Sequence, residues 1–204
     1  MISQGIFFCL ATYLFGSVPF GKLIANRVAG IDITTQGSKN IGAANVAREV
    51  GRGWGAITLL LDMLKGYIPV ILYANVGVPS GDGYTVGLSW VVISAIAGHQ
   101  FSIFLKFKGG KGVGTAAGSY LALSPLACLI GVILFMVILY KWDFVSLGST
   151  VSASAMPLLL ASFGQAQPLV IASALLAVLI CLKHWGNFKR MLNGEERKWR
   201  ERWR

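Results

Sequence analysis

Long apolar blocks separated by short polar connections dominate the chain. The blocks cover residues 4–26, 54–76, 84–105, 112–124, 125–141, 144–163 and 167–184. Stretches such as "GIFFCLATYLFGSVPFGKLIA" approach the roughly 20 apolar residues a helix needs to cross a bilayer. The pattern predicts an all-α, polytopic integral membrane protein of about seven transmembrane helices, forming one domain over residues 1–204. Two blocks are short or rich in small residues, "VGTAAGSYLALS" and "VSLGSTVSASAMPLLLASF". Small side chains let membrane helices approach closely. If the short blocks are re-entrant rather than crossing, five or six spans result. Ser124-Pro125 is a natural break, because the residue before a proline avoids helical geometry.

The connections alternate in charge. Arg27, Lys39, Arg48 and Arg52 fall in one connection, Lys106, Lys108 and Lys111 in another, and Lys141 and the C-terminal tail continue the series. The intervening connections, around 77–83, 124–125 and 164–168, hold only Asp82. Basic connections stay in the cytoplasm, which predicts an external N-terminus and a cytoplasmic C-terminus. Composition agrees with a membrane protein: 55% of residues are hydrophobic and 13% charged, against about 25% charged in a soluble domain. Eight of the 18 Lys and Arg lie between Lys183 and the C-terminus. Cytoplasmic anchoring accounts for that tail without a nucleic-acid partner. Cys9, Cys128 and Cys181 sit inside apolar blocks without metal-ligand spacing, so neither a disulfide framework nor a zinc site is expected. The first block lacks a basic leader and a small-residue cleavage site, so no removable signal peptide is expected.

Three polar clusters interrupt this background. The first, residues 37–55, carries Ser38, Asn40, Gly42, Asn45 and Arg48. Its turn-forming residues offer backbone amides of the kind that form anion-binding nests, and Arg48 offers a phosphate-matching fork. A plain cytoplasmic loop, with glycines for turns and arginines for topology, explains the same composition. The second, "GHQFSIFLKFKGGKGVGT", includes Gly109, Gly110, Lys111 and Gly112. It fails as a Walker A loop, since Gly112 rather than Ser or Thr follows the lysine. What remains is a glycine-rich turn with a cation at a helix N-terminus, suited to an anion; a topological turn is the bland alternative. His99 there reads as a helix-packing donor. The third, residues 184–198, places His184 and Asn187 three apart on one helix face. A solvated basic tail explains Lys189 and Arg190 but not "HWGN". Ser146 and Ser149 lie at a span end, where serines commonly bond their own helix. Asp62 and Lys65, inside the second block, read as an ion pair or as support for the first cluster. Two distant histidines without paired acids make no metal site.

Taken together, "GSKNIGAANVAR", "GHQFSIFLKFKGGKGVGT" and "HWGNFKRMLNGEE" resemble the three motifs of the bacterial glycerol-3-phosphate acyltransferases that use acyl-phosphate as donor, the PlsY family. "YLFGSVPFG" and "DMLKGYIPV" resemble that family too. Lys39 stands where the family pattern has glycine, Ala44 where it has threonine, Ser102 proline, Gly114 alanine and Trp185 arginine. The resemblance implies acyl transfer from acyl-phosphate to the 1-hydroxyl of glycerol 3-phosphate, giving lysophosphatidic acid and phosphate. It implies a multi-pass protein of the bacterial inner membrane with its site facing the cytoplasm, needing no cofactor, metal or obligate protein partner, and meeting membrane lipid around it. Ser38, Asn40, Asn45, Gly109, Gly110 and Lys111 would hold the donor phosphate, with Gly42 and Gly112 in the same binding set. Arg48, Ser146, Ser149, His184 and Asn187 would position glycerol 3-phosphate and, with Lys111, form the catalytic set. The acceptor proton would pass to His184 or to the substrate phosphate, the latter being favoured.

Overall fold

The computed structural model describes residues 2–75 and 82–203, and every regular element among them is helical. Most of the expected 77–83 connection lies outside the described residues. The chain divides into two compact units, Met1–Leu123 and Ser124–Arg204.

In the first unit, helices α1 (Ile2–Ser17) and α2 (Phe20–Ala29) replace the single expected run over 4–26. Pro19 causes the break: it has no N–H, and its ring pushes Val18 out of helical geometry. The two pieces still amount to one candidate span, Gly5–Ala29. Helix α3 (Ala43–Glu49) is short, α4 (Arg52–Asn75) and α5 (Asp82–Gln100) are long, and α6 (Val113–Leu123) has 11 residues. At 1.5 Å per residue α6 reaches about 16 Å, roughly half the hydrocarbon core. The expected fourth crossing is therefore too short to span on its own. α1 packs on α5, and α4 packs on both α3 and α6. Glycines permit the closest approach: a β-carbon on Gly16 would strike the Ala95 carbonyl, and one on Gly98 the Tyr13 carbonyl.

The second unit holds α7 (Pro125–Trp142), α8 (Val145–Ser162), α9 (Gln167–Lys183) and α10 (Trp185–Leu192), packed in sequence. α9 and α10 meet at a 51° bend. Among the described residues, five helical segments are long and apolar enough to cross a bilayer, or six if the bent pair counts as one span. This is the all-α membrane architecture expected, with fewer full crossings than the seven apolar blocks imply. Lipid-facing residues such as Phe7, Leu158 and Leu182 stay exposed, as a bilayer solvent allows.

Candidate active site

In the first unit, the loop before α3 is built around Asn45. Its Oδ1 accepts the Ser38 N–H at 2.9 Å, and its Nδ2 donates to Asn40 O at 2.9 Å and Gln36 O at 3.0 Å. Asn45 is buried, and its amide is committed to the loop backbone. It thus shapes the loop from within. Asn40 Oδ1 accepts the Gly42 N–H at 2.8 Å, an Asx turn that leads into α3. Ser38 is exposed and Arg48 half-buried on α3. At the loop's start, Lys22 and then the Thr34 hydroxyl and amide bond Asp32 and hold its carboxyl down to about 2. That anchor therefore stays ionised at any physiological pH. Lys39 adopts a left-handed backbone, φ 57°, which explains why a glycine occupies this place in the family pattern.

The glycine loop lies between α5 and α6. Gly110 N–H donates to His99 O at 2.9 Å and Gly109 N–H to Gln100 O at 3.2 Å. These two amides cap the end of α5, so they are not the ones that would cradle an anion. A β-carbon at Gly109 would collide with the His99 carbonyl and one at Gly110 with the His99 ring. The glycines are there to let the loop lie flat on α5. Gln100 Nε2 donates to Lys111 O at 2.8 Å and fixes the next residue. The first-turn amides of α6, from Gly112 to Thr115, follow; amides at this position have no acceptor within their own helix. The positive end of the α6 dipole thus adjoins Lys111 in the chain, a combination suited to an anion. Gly112 itself needs its left-handed φ of 82°.

Ser102, where the family pattern has proline, has φ −59°, compatible with proline, and donates from Oγ to Ser17 O at 2.6 Å. A β-carbon on Gly114 would press on Asp62 and Leu59, so glycine suits this chain better than the family's alanine. Both polar clusters rest on α4: Gly55 packs against Ala47 of α3, and Gly66 against Thr115 of α6.

In the second unit, Glu196 gathers the polar residues. Its Oε1 accepts from Asn187 Nδ2 at 2.6 Å and from Ser146 Oγ at 2.9 Å, and its Oε2 from Arg190 Nε at 2.9 Å. The segment carrying it is tied down again by Trp199 N–H to Asp143 O at 2.8 Å. Ser146, Ser149, His184 and Asn187 are all buried. His184 sits at the α9–α10 bend, and its Nδ1 lies 2.8 Å from Ile180 O. A carbonyl only accepts, so Nδ1 carries a proton. When the ring is neutral, Nε2 is therefore the acceptor nitrogen. Trp185, in the place of the family's arginine, is exposed and has Lys189 Nζ 5.8 Å over its ring.

The expected residues thus fall into three groups: Ser38, Asn40, Gly42, Asn45 and Arg48 around α3; Gly109 to Gly112 between α5 and α6; and Ser146, Ser149, His184 and Asn187 in the second unit. Sequence reasoning missed Glu196 as the centre of the last group, although it closes the third motif. Asp62 and Lys65 form the ion pair that was one of the two readings of them, and they meet His99 beside the second cluster rather than supporting the first: Lys65 Nζ lies 2.9 Å from both Asp62 Oδ1 and His99 Nδ1. No group of three or more His, Cys, Asp or Glu able to hold a metal occurs among the described residues.

Comparison with known proteins shows the family of the chain. The family model described as "Glycerol-3-phosphate acyltransferase" matches residues 6–194. The glycerol-3-phosphate acyltransferase of Trichlorobacter lovleyi is 41% identical over 98% of this chain and 100% of its own length. That of Geobacter sulfurreducens is 43% identical over 92% of this chain and 94% of its own. Among solved structures, the integral membrane glycerol 3-phosphate acyltransferase PlsY superposes with a TM-score of 0.88 in its glycerol 3-phosphate form and 0.86 in its lysophosphatidic acid form. Both are 33% identical, covering 96% of this chain and 95% of the other. By full-length sequence and by fold, the chain belongs to the glycerol-3-phosphate acyltransferase family and is an integral membrane enzyme of that activity.

Proposed function

We propose that the acyl donor is acyl-phosphate and that the product is lysophosphatidic acid. The 1-hydroxyl oxygen of glycerol 3-phosphate attacks the acyl carbon, the bond from that carbon to the phosphate oxygen breaks, and inorganic phosphate leaves. The observation that carries this reading is the coincidence of Lys111 with the N-terminus of α6, a site suited to a phosphate rather than to a thioester. Phosphate is a good leaving group, so alignment and neutralisation of its charge are what the protein has to supply. Lys111 and the first turn of α6 serve the donor phosphate, with Ser38 and Asn40, while Asn45 and Gly109–Gly110 hold their loops in shape. Arg48, Ser146, Ser149, His184 and Asn187 serve glycerol 3-phosphate. A solved relative with glycerol 3-phosphate bound supports that acceptor.

His184 has one nitrogen engaged by Ile180 O, which leaves a choice of roles for Nε2. As donor to a phosphate the ring must be imidazolium; as general base it must be neutral. A dianionic phosphate favours the imidazolium, so His184 orients the acceptor and the phosphate, whose second pKa is about 6, takes the hydroxyl proton. The test is purified protein in detergent: phosphate is released from acyl-phosphate only when glycerol 3-phosphate is present. Release independent of the acceptor would point to a hydrolase and sink the reading. In the same assay His184→Gln keeps turnover at saturating acceptor and raises its KM. If KM were unchanged and kcat fell about 10²–10⁴-fold, the loss expected for a general base, His184 would be the base.

The alternating charge of the connections supports an external N-terminus, a cytoplasmic C-terminus and a site facing the cytoplasm of a bacterial inner membrane. A cysteine introduced at exposed Lys108 is then labelled by an impermeant thiol reagent only after the cytoplasmic face is opened. Labelling in intact cells would reverse the orientation.

A further inference from the structure

Asp62 and Lys65 of α4 and His99 near the end of α5 are all buried. Lys65 Nζ lies 2.9 Å from Asp62 Oδ1, 3.0 Å from Val18 O and 2.9 Å from His99 Nδ1. An ammonium has three protons and no acceptor, and here three acceptors surround it. His99 Nδ1 must then be one of them, which places the proton of a neutral imidazole on Nε2. A proton on Nδ1 instead would point at the ammonium, and its alternative acceptor, Asp62 Oδ1, is 3.5 Å away, beyond a good hydrogen bond. The ring is thereby fixed in both tautomer and orientation.

That ring lies against the glycine loop. His99 O accepts the Gly110 N–H at 2.9 Å, and the Nε2 edge of the ring fills the place a β-carbon on Gly110 would take. Lys111 follows directly, and Gly112 begins the turn into α6. A displacement of Gly110 therefore carries both the lysine and the first-turn amides with it.

We propose that Asp62, Lys65 and His99 are positioning residues: a buried relay that locks His99 as the Nε2–H tautomer and so sets the height of the glycine loop over α5. The relay rests on the reading of Lys111 and the α6 N-terminus as the donor-phosphate site. It touches no substrate. A helix-packing cluster alone would need neither a fixed tautomer nor a ring edge seated on a glycine. Asp62 neutralises Lys65, Lys65 fixes Nδ1, and the ring supports Gly110; each residue acts on the next.

Two measurements test this. The chain has only two histidines, so ring ¹⁵N spectra of histidine-labelled protein show two spin systems. The one lost in His99→Asn is expected as the neutral Nε2–H tautomer, opposite to the Nδ1–H tautomer of His184. A His99 ring protonated on Nδ1, alone or doubly, overturns the relay. The second measurement is kinetic. In His99→Asn the side-chain oxygen can still accept from Lys65 and the carbonyl of residue 99 still accepts the Gly110 N–H, but the ring edge that seats Gly110 is gone. The expected result is a melting temperature near that of the parent with KM for acyl-phosphate raised about 10- to 100-fold, the scale of a misplacement near 1 Å. A variant that melts early but keeps its KM when folded would show a purely structural role. If Lys111→Ala is inactive while His99→Asn behaves as parent, the relay alone is wrong. If Lys111→Ala is active too, the phosphate site itself is wrong. Should His99→Asn fail to fold, the tautomer of the unmodified protein still decides.

Discussion

Lys111→Ala lowers kcat/KM by about 10²–10³, the usual loss when one preorganised charge-stabilising group is removed. The fold is expected to survive the change, because alanine retains the carbonyl to which Gln100 Nε2 donates. The amides of α6 and the supporting bonds of Gly109 and Gly110 to α5 also remain. What disappears is the ammonium, which in the proposed function neutralises the leaving phosphate. Lys111→Arg keeps the charge but spreads it over a planar fork, so it recovers only part of the activity. The measurement is steady-state phosphate release together with thermal unfolding in the same detergent. Near-parental turnover of a folded Lys111→Ala protein would remove the site from the glycine loop.

Glu196→Ala has the largest expected effect on stability. Its carboxylate receives Asn187, Ser146 and Arg190, and the first two are buried. Alanine removes the carboxylate to which both donate, at about 1–3 kcal/mol for each buried group. The ion pair with Arg190 adds little, since that arginine is 43% exposed and solvent screens it. A total loss of about 3–5 kcal/mol follows, read as a lowered denaturation midpoint, with activity lost as Asn187 and Ser146 reorient. Glu196→Gln keeps an acceptor oxygen and loses about 1–2 kcal/mol. A Glu196→Ala protein with a parental midpoint and normal activity would show that the carboxylate organises nothing.

Much of the fold was legible because apolar length is a direct reading of bilayer thickness. Arg52–Asn75, Pro125–Trp142 and Val145–Ser162 lie within two residues of the expected blocks. The misreadings come from backbone chemistry inside an apolar run. "GSVPFG" looks continuous in hydropathy, yet Pro19 divides it into α1 and α2. The run after Gly112 is apolar but ends at Leu123, before it can cross. In the site, the three clusters were visible as breaks in the apolar pattern, and so was the cation at Lys111. Where the glycine amides turn was not visible: Gly109 and Gly110 give theirs to α5, a choice made by the tertiary approach of loop and helix. Glu196 was hidden for a similar reason. Its partners lie 50, nine and six residues away, and only the return of the chain after α10 brings them together.

The buried relay also bears on how the protein enters the membrane. Lys65 stands near the middle of the candidate span Arg52–Asn75, where an unpaired charge opposes insertion by about 2.5–3.5 kcal/mol. Asp62, one turn earlier on the same helix, travels with it, so the segment meets the insertion machinery as a dipole with no net charge from the pair. The remaining acceptors come from different moments of synthesis. Val18, at the proline break, is made before the lysine; His99 is made after it. During assembly Lys65 therefore finds first an intrahelical partner, then a carbonyl already in the bilayer, and last the imidazole of the next span. The break at Pro19 thus acts as a docking point prepared in advance for a cation that arrives two helices later.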